Sequence, residues 1–197
     1  MIRAVFFDFY SVWMPDIFAA HLALAQEHGP QAVSELEHTV SRYFHGLVSI
    51  EDVADEFRYK LSRPEIDASQ FILNERSISP AIVDFMRELH GHFVKLGVLA
   101  NLGTQEYQLL TDFNNRNQVF EVIAGPLPFH LDKPLLSNEV FSQTLKTIGE
   151  PPRSCLVVTG NAAYQSFASS LGISVLPFQG FPKLKQELDQ LLASELA

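Results

Sequence analysis

Four polar side chains of different chemistry follow short apolar segments that lie far apart in the chain. Asp8 ends the segment AVFFD, Asn101 ends GVLAN, and Thr159 ends SCLVVT. Lys133 lies in the loop that follows a further apolar segment, VFEVIAG. If these segments are parallel strands of one sheet, their carboxyl ends bring a carboxylate, an amide, a hydroxyl and an ammonium group to one edge. Open α/β sheets bind their ligands at that edge, so the sequence predicts a polar binding site there.

A parallel sheet is predicted by the alternation of strand and helix patterns over the second part of the chain. The predicted strands are 2–7, 97–101, 119–125, 154–159 and 173–178. The predicted helices are 81–95, 104–113, 137–149, 161–171 and 182–195. Thr104 and Ser137 are the expected N-caps of two of them. Such alternation is typical of a three-layer Rossmann-like α/β core, in which helices cover both faces of a parallel sheet.

Helical patterns alone occupy the region between the first strand and this alternation. Ser49 and Asp52 have the spacing of a capping box, which predicts that a helix starts between them. The other predicted helices are 15–28, 31–45 and a weaker one from Pro64 toward Arg76. We therefore expect an all-α cap of residues 14–77, inserted into a core made of residues 1–13 and 78–197.

The composition narrows the range of partners and compartments. A net charge of -9 without any run of basic residues argues against nucleic acids and anionic membranes, because both require clustered Lys and Arg. No apolar stretch approaches the ~18 residues that span a bilayer, and the short apolar start lacks the cleavage pattern of a signal peptide. The single cysteine, Cys155, excludes an intrachain disulfide and a metal site of several cysteines. We expect a cytoplasmic protein.

The order of these motifs resembles that of the haloacid dehalogenase-like hydrolase superfamily, in the subclass with a helical cap after the first motif. The segments that carry the resemblance are FFDFYSV, VLAN, DKPLLSNEVF and LVVTGNAAYQSFASSLGI. The resemblance implies that Asp8 holds the position of a nucleophile, which forms a covalent aspartyl intermediate. It also implies that Asn101 keeps the amide of the second motif, and that Lys133 keeps the ammonium group that restrains the nucleophile.

Several positions depart from the phosphatases of that superfamily. Tyr10 stands where their acid/base aspartate lies, and a phenol with a reference pKa of ~10 is a poor base at neutral pH. Ala100 replaces a phosphate-binding hydroxyl, and Thr159 with Gly160 replaces the acidic pair that helps to hold magnesium. Mg²⁺ requires charged oxygen ligands, so we expect its binding to be weak or lost, and we expect no other cofactor.

Tyr10 instead matches the true haloacid dehalogenases of the superfamily, which carry Asp-x-Tyr and use no metal. Asn161 also matches their fourth motif. A halide leaves without protonation, so an aspartate nucleophile works there without a second aspartate. Val12 and Ala100 nevertheless replace a threonine and a serine of that pattern, and Tyr164 replaces the aspartate that helps to activate water.

Three hypotheses follow for the function. The first is a catalytically degenerate protein that binds a small-molecule ligand or a protein partner between cap and core, with Tyr10, Asn101, Thr159 and Asn161 as ligand contacts. The second is a metal-independent hydrolase that uses Asp8 as its nucleophile and Lys133 beside it. The third is a Mg²⁺-dependent phosphatase with a rearranged metal site. Whether the chain is an enzyme stays open at this point, as does homodimer formation.

Overall fold

The core of the molecule is one sheet of parallel strands. The computed structural model describes residues 1–13, 18–71, 80–91, 94–125 and 136–196. Its strands are β1 (Ala4–Asp8), β2 (Lys95–Leu99), β3 (Val122–Ala124), β4 (Cys155–Thr159) and β5 (Ser174–Pro177). They pair in parallel in the order β3-β2-β1-β4-β5, which confirms the predicted parallel α/β sheet.

Helices cover both faces of this sheet, because its central strand is apolar on both sides. The core helices are α4 (Pro80–Gly91), α5 (Thr104–Asn117), α6 (Asn138–Ile148), α7 (Ala162–Ser170) and α8 (Phe181–Leu196). Val5 and Phe7 of β1 belong to the apolar cluster that α4, α5 and α8 complete. Ala4 and Phe6 point to the opposite cluster, completed by α6 and α7. The alternation of side chains along β1 therefore produces the three layers.

The segment after β1 forms a separate helical layer with its own apolar cluster. Its helices are α1 (Ala19–Ala25), α2 (Pro30–Phe44) and α3 (Ile50–Leu61). Phe18, Phe57 and Phe71 are fully or almost fully buried in that cluster. The Ser49–Asp52 capping box at the start of α3 is confirmed, with each residue's side chain accepting from the other's backbone N–H. The domain limits at 13/14 and 77/78 stay a prediction, because residues 14–17 and 72–79 lie outside the described part of the chain.

The predicted helix from Pro64 is wrong over the residues that the structure describes. Only a short 3₁₀ segment, Ala68–Phe71, forms there. Side chains hold the preceding backbone in turns: Arg58 Nε donates to the Ile66 carbonyl, and Asp67 Oδ1 accepts from the Ser69 N–H. Local side-chain bonds of this kind compete with helix formation. The rest of the predicted segment, from residue 72, is not among the described residues.

The boundary between α4 and β2 differs from the prediction of a helix over 81–95 and a strand over 97–101. The helix ends at Gly91 and the strand begins at Lys95, because the β1–β2 ladder starts with the pair Ala4 and Lys95. Asn101 therefore lies just beyond the strand. Thr104 is likewise the first residue of α5 and not its N-cap, which is Gly103.

Among the described residues, no helix combines the length and the apolar character needed to cross a membrane.

Gly97 lies inside β2, where the facing side chains leave no room for a methyl group. A Cβ at this position would lie 2.6 Å from the Phe6 ring and 2.9 Å from Val122. We expect Gly97→Ala to lower the free energy of unfolding by about 2 kcal/mol, because the core must shift to accept it. Urea unfolding measures this change. Ser174→Ala, at an exposed position of β5, is the control and should differ little from the parent; an equal loss in both variants would contradict the packing argument.

Candidate ligand-binding cleft

The candidate site lies where the strand order of the sheet reverses. From β1 the chain adds β2 and β3 on one side, and then crosses to add β4 and β5 on the other. A crevice opens at such a switch point, at the carboxyl ends of the two strands that flank it. Those ends carry Asp8 on β1 and Thr159 on β4.

The carboxylate of Asp8 is held by two hydroxyl groups. Thr159 Oγ1 donates to Asp8 Oδ2 at 2.6 Å, and Ser11 Oγ donates to the same oxygen at 2.8 Å. Ser11 Oγ also accepts from the backbone N–H of Gly160 at 2.9 Å. Ser11 lies in the single π-helical turn that follows β1, Phe9–Trp13. This hydroxyl clamp therefore joins the end of β4 and the turn after β1 through one carboxylate oxygen.

Burial makes Asp8 harder to ionise than an ordinary aspartate. The residue is 4% exposed, and desolvation raises the pKa of its carboxyl group. The hydrogen bonds from Thr159 and Ser11, and from the backbone of Tyr10 and Ser11, oppose that rise without cancelling it. The donors among the described residues are neutral, and neutral donors stabilise a carboxylate less than a cation does.

A cavity of about 440 Å³ opens in front of Asp8. It is lined by Asp8, Tyr10, Ser11, Phe44, Asn101, Gly160, Asn161 and Tyr164. Four residues predicted from the sequence thus meet in one cleft, although their contact with a ligand stays a prediction. Thr159 is fully buried and its hydroxyl is committed to Asp8, so any contact of Thr159 with a ligand also stays a prediction. Lys133 lies outside the described residues, and its predicted role stays a prediction as well.

Asn101, Asn161 and Tyr164 form the polar wall of the cleft. Asn101 Nδ2 donates to the Tyr164 hydroxyl at 3.4 Å. The Asn101 Oδ1 atom is buried and has no hydrogen-bond partner among the described residues, a state that buried polar atoms rarely keep. Asn161 caps α7, since its Oδ1 accepts from the N–H groups of Ala163 and Tyr164. The Asn161 oxygen therefore shapes the wall, while the Asn101 amide retains hydrogen-bonding capacity.

The described residues of the cleft do not fit a magnesium ion. No group of three His, Cys, Asp or Glu side chains that could hold a metal occurs in the described part of the chain. Around Asp8 Oδ2 the neighbours are the Thr159 and Ser11 hydroxyls, which direct their protons at the oxygen. Mg²⁺ prefers charged carboxylate oxygens in near-octahedral geometry, and among the described lining residues only Asp8 supplies such a group.

The cap is fixed to the core by a buried contact beside this cleft. Tyr43 of α2 donates its hydroxyl to Glu106 Oε2 of α5 at 2.5 Å, and the two residues are 2% and 1% exposed. The Tyr43 ring lies over Gly103, where an added Cβ would come within 2.0 Å of it. Burial raises the pKa of Glu106, and its hydrogen bond from Tyr43 opposes the rise. This contact, the Tyr43–Glu106 latch, was not anticipated from the sequence, and neither was Ser11.

Comparison with solved structures identifies the fold. No model of a known protein family and no curated protein matches the chain. An enzyme from Bacteroides thetaiotaomicron, solved in complex with magnesium and inorganic phosphate, matches this chain with a TM-score of 0.62 at 16% identity. The match covers 90% of this chain and 94% of the enzyme. The enzyme belongs to the haloacid dehalogenase-like (HAD) family. The chain thus has the HAD-like α/β fold.

The dehalogenases themselves also match. The L-2-haloacid dehalogenase from Xanthobacter autotrophicus matches with a TM-score of 0.59 at 18% identity, covering 96% of this chain and 83% of that one. The same enzyme with chloropropionic acid covalently bound gives a TM-score of 0.58 at 18% identity, with coverage of 90% and 77%. Identities this low show a shared fold and leave the activity to be argued from the site.

The Tyr43–Glu106 latch leads to a stability prediction. We expect Tyr43→Phe to lower the free energy of unfolding by about 1–3 kcal/mol at neutral pH, because a buried carboxyl group loses its donor. The loss should shrink as the pH falls, since the raised pKa of Glu106 lets protonation relieve the cost of burial. Chemical denaturation across the pH range measures it. Tyr59→Phe is the control, because Tyr59 is 77% exposed; a pH-independent loss would contradict this account.

Asp8 leads to a prediction of the opposite sign. Its raised pKa means that the buried carboxylate weakens the fold at neutral pH, and that this penalty disappears as the pH falls below the unfolded value. We expect Asp8→Asn to raise the free energy of unfolding by about 1 kcal/mol at neutral pH. This is the usual scale of a single stabilising substitution. The advantage should decline toward acidic pH. Thermal unfolding as a function of pH checks it, and a variant that is less stable at neutral pH would contradict the assignment.

Proposed function

We propose that this protein uses the HAD-like fold to bind a small ligand in the cleft at Asp8 and does not carry out magnesium-dependent phosphoryl transfer. One observation carries the proposal. Asp8 Oδ2 accepts two hydroxyl hydrogen bonds, and the described lining of the cleft holds no other carboxylate and no imidazole. By resemblance, the carboxylate at the nucleophile position is kept, while Tyr10, Thr159 and Gly160 stand where the acid/base and metal-binding acids are expected.

Phosphoryl transfer requires neutralisation of the charge on the transferring group and a proton for the leaving group. The described lining of the cleft holds no carboxylate other than Asp8 and no imidazole that could supply either function. Tyr10, at the acid/base position, packs its ring against Phe9 and Phe44 at centroid distances of 5.0 and 5.8 Å. It forms an aromatic wall of the cleft. Thr159 and Gly160, at the metal position, contribute a hydroxyl and a backbone N–H that both act inside the hydroxyl clamp.

Ligand binding fits the remaining features of the cleft. Its volume of about 440 Å³ lies in the range of small-molecule sites, roughly 300–1,000 Å³. Tyr10, Phe44 and Tyr164 provide aromatic surface, and the Asn101 amide provides a buried oxygen with no partner in the described part of the chain. A few polar groups on an aromatic wall are typical of sites that orient a small organic molecule. This size favours a small ligand over a protein partner, and homodimer formation stays a prediction.

We also propose a cytoplasmic location. The thiol of Cys155 is free and buried, and burial raises its pKa to about 11. An unreactive buried thiol of this kind suits a reducing compartment, although it does not require one.

The leading proposal predicts a binding signal without metal-dependent turnover. We expect small polar fragments to shift the backbone amide NMR signals of Tyr10, Asn101, Gly160 and Tyr164. We expect millimolar Mg²⁺ to leave the melting temperature unchanged, because a cation without a site cannot stabilise the folded state. We also expect no Mg²⁺-stimulated hydrolysis of an aryl phosphate. Hydrolysis that requires Mg²⁺ and disappears in Asp8→Asn would refute the proposal.

The alternative is a metal-independent hydrolase, favoured by the Asp-x-Tyr motif and by the structural match to a dehalogenase that holds covalently bound chloropropionic acid. In that reaction an Asp8 carboxylate oxygen attacks the halogen-bearing carbon, the carbon–halogen bond breaks, and the halide leaves with the bonding electrons. Water must then hydrolyse the ester on Asp8. Tyr164 lines the cleft where a water-activating aspartate is expected by resemblance, so this second step lacks a base among the described lining residues.

Mass spectrometry separates the two functions. Under the leading proposal, incubation with a short 2-halo acid gives neither halide release nor an added mass on the peptide containing Asp8. The alternative gives an ester at Asp8 that is absent in Asp8→Asn. It remains in Asp189→Asn, which removes an exposed aspartate of α8 and serves as the matched control.

A further inference from the structure

A second cavity of about 260 Å³ lies under the cap, next to the Asp8 cleft. It is lined by Phe18, Leu22, Glu37, Val40, Ser41, Phe44, His45 and Asn101. Phe44 and Asn101 line both cavities, so the two are neighbours across these residues. A ligand that lies at Asp8 and extends past Phe44 therefore reaches the second cavity.

Helix α2 provides most of this cavity in two rows of side chains. Glu37 and Ser41 are four residues apart on one face of the helix, and His45, the C-cap four residues further on, lines the same cavity. Val40 and Phe44 form an apolar row beside them. The wall is held in place before any ligand binds, because Tyr43 on the same helix is anchored by the Tyr43–Glu106 latch. Such preorganisation reduces the entropy that binding costs.

The polar row offers hydrogen-bond acceptors. Glu37 is exposed to the cavity side and makes no ion pair with any residue that the structure describes. His45 Nδ1 lies 2.7 Å from the Ser41 carbonyl oxygen, and a carbonyl only accepts, so Nδ1 carries the proton. In the tautomer with its proton on Nδ1, the imidazole presents the lone pair of Nε2 as an acceptor. No Lys or Arg occurs among the described lining residues.

We infer that this second cavity, here called the α2 subsite, binds the distal amino group of an amphipathic ligand whose other end lies in the Asp8 cleft. The inference rests on the proposed ligand-binding function and narrows it to a ligand class. An ammonium group supplies three donors, which Glu37 and His45 can accept, and its charge is complementary to Glu37. The ring of Phe44 adds attraction for a cation, and the aliphatic part of the ligand packs against Leu22 and Val40.

A matched series of probes tests the terminal group alone. Hexylamine, hexanol and hexanoate share one carbon chain and differ in charge and in hydrogen-bond donors. We expect hexylamine to shift the backbone amide NMR signals of Glu37, Ser41 and His45, with hexanol weaker and hexanoate without effect. We expect Glu37→Gln to weaken hexylamine binding by about fivefold, the scale of a partly exposed ion pair, and to leave hexanol unchanged.

Glu27→Gln is the matched control, because it makes the same change at an exposed position outside both cavities. It should bind hexylamine as the parent does. Hexanoate binding at the α2 subsite with equal or higher affinity overturns the inference, and so does an equal effect of Glu27→Gln and Glu37→Gln.

The same spectra separate this inference from the proposed function. If fragments shift Tyr10, Gly160 and Tyr164 while hexylamine leaves α2 unshifted, the amine inference fails and the ligand-binding proposal stands. If neither fragments nor hexylamine cause shifts in either cavity, both fail.

Discussion

The hydrogen bonds from Thr159 and Ser11 to Asp8 are the interaction on which the site depends. A carboxylate at the end of a buried strand costs free energy unless its charge is compensated. Here one oxygen accepts from Thr159 at the end of β4 and from Ser11 in the turn after β1, and Ser11 accepts in turn from the Gly160 N–H. The clamp therefore stabilises Asp8 and also fixes the distance between the carboxyl ends of β1 and β4. Without it the switch point of the sheet would hold a poorly compensated charge.

Glu106 is a second buried carboxyl group that accepts a hydrogen bond from a hydroxyl, at the contact between α2 and α5. It is buried, and its carboxyl group accepts from the Tyr43 hydroxyl as Asp8 accepts from Thr159. Burial raises the pKa of both acids, because a hydroxyl donor offsets only part of the desolvation. The two contacts act on one region: the first fixes the floor of the cleft, and the second fixes α2 as its roof. The described lining of the cleft carries one carboxyl group, that of Asp8, and no imidazole, which supports the proposal of ligand binding over a reaction that must move protons.

The sequence predicted the parts that depend on strand order and local signals. Asp8 and Asn101 could be placed at one edge because strands of a parallel sheet end on the same side, and Ser49 could be placed as a cap from its spacing to Asp52. Ser11 could not be assigned, since its role depends on the π-helical turn that directs its hydroxyl back to Asp8. The Tyr43–Glu106 latch joins residues 63 positions apart, which no local pattern encodes. Over the described residues, the predicted helix after Pro64 failed because Arg58 of the preceding helix and Asp67 of the turn itself hold the backbone there.

We propose that the Thr159 and Ser11 hydroxyls, and not a bound cation, compensate the Asp8 carboxylate. A high-resolution crystal structure soaked with Mg²⁺ and a phosphate mimic tests this most directly. We predict that the electron density at Asp8 shows no octahedral ion. The Thr159 and Ser11 hydroxyls should remain within hydrogen-bond distance of Oδ2. An ion about 2.1 Å from a carboxylate oxygen of Asp8, in octahedral coordination and with the mimic bound to it, would contradict the account.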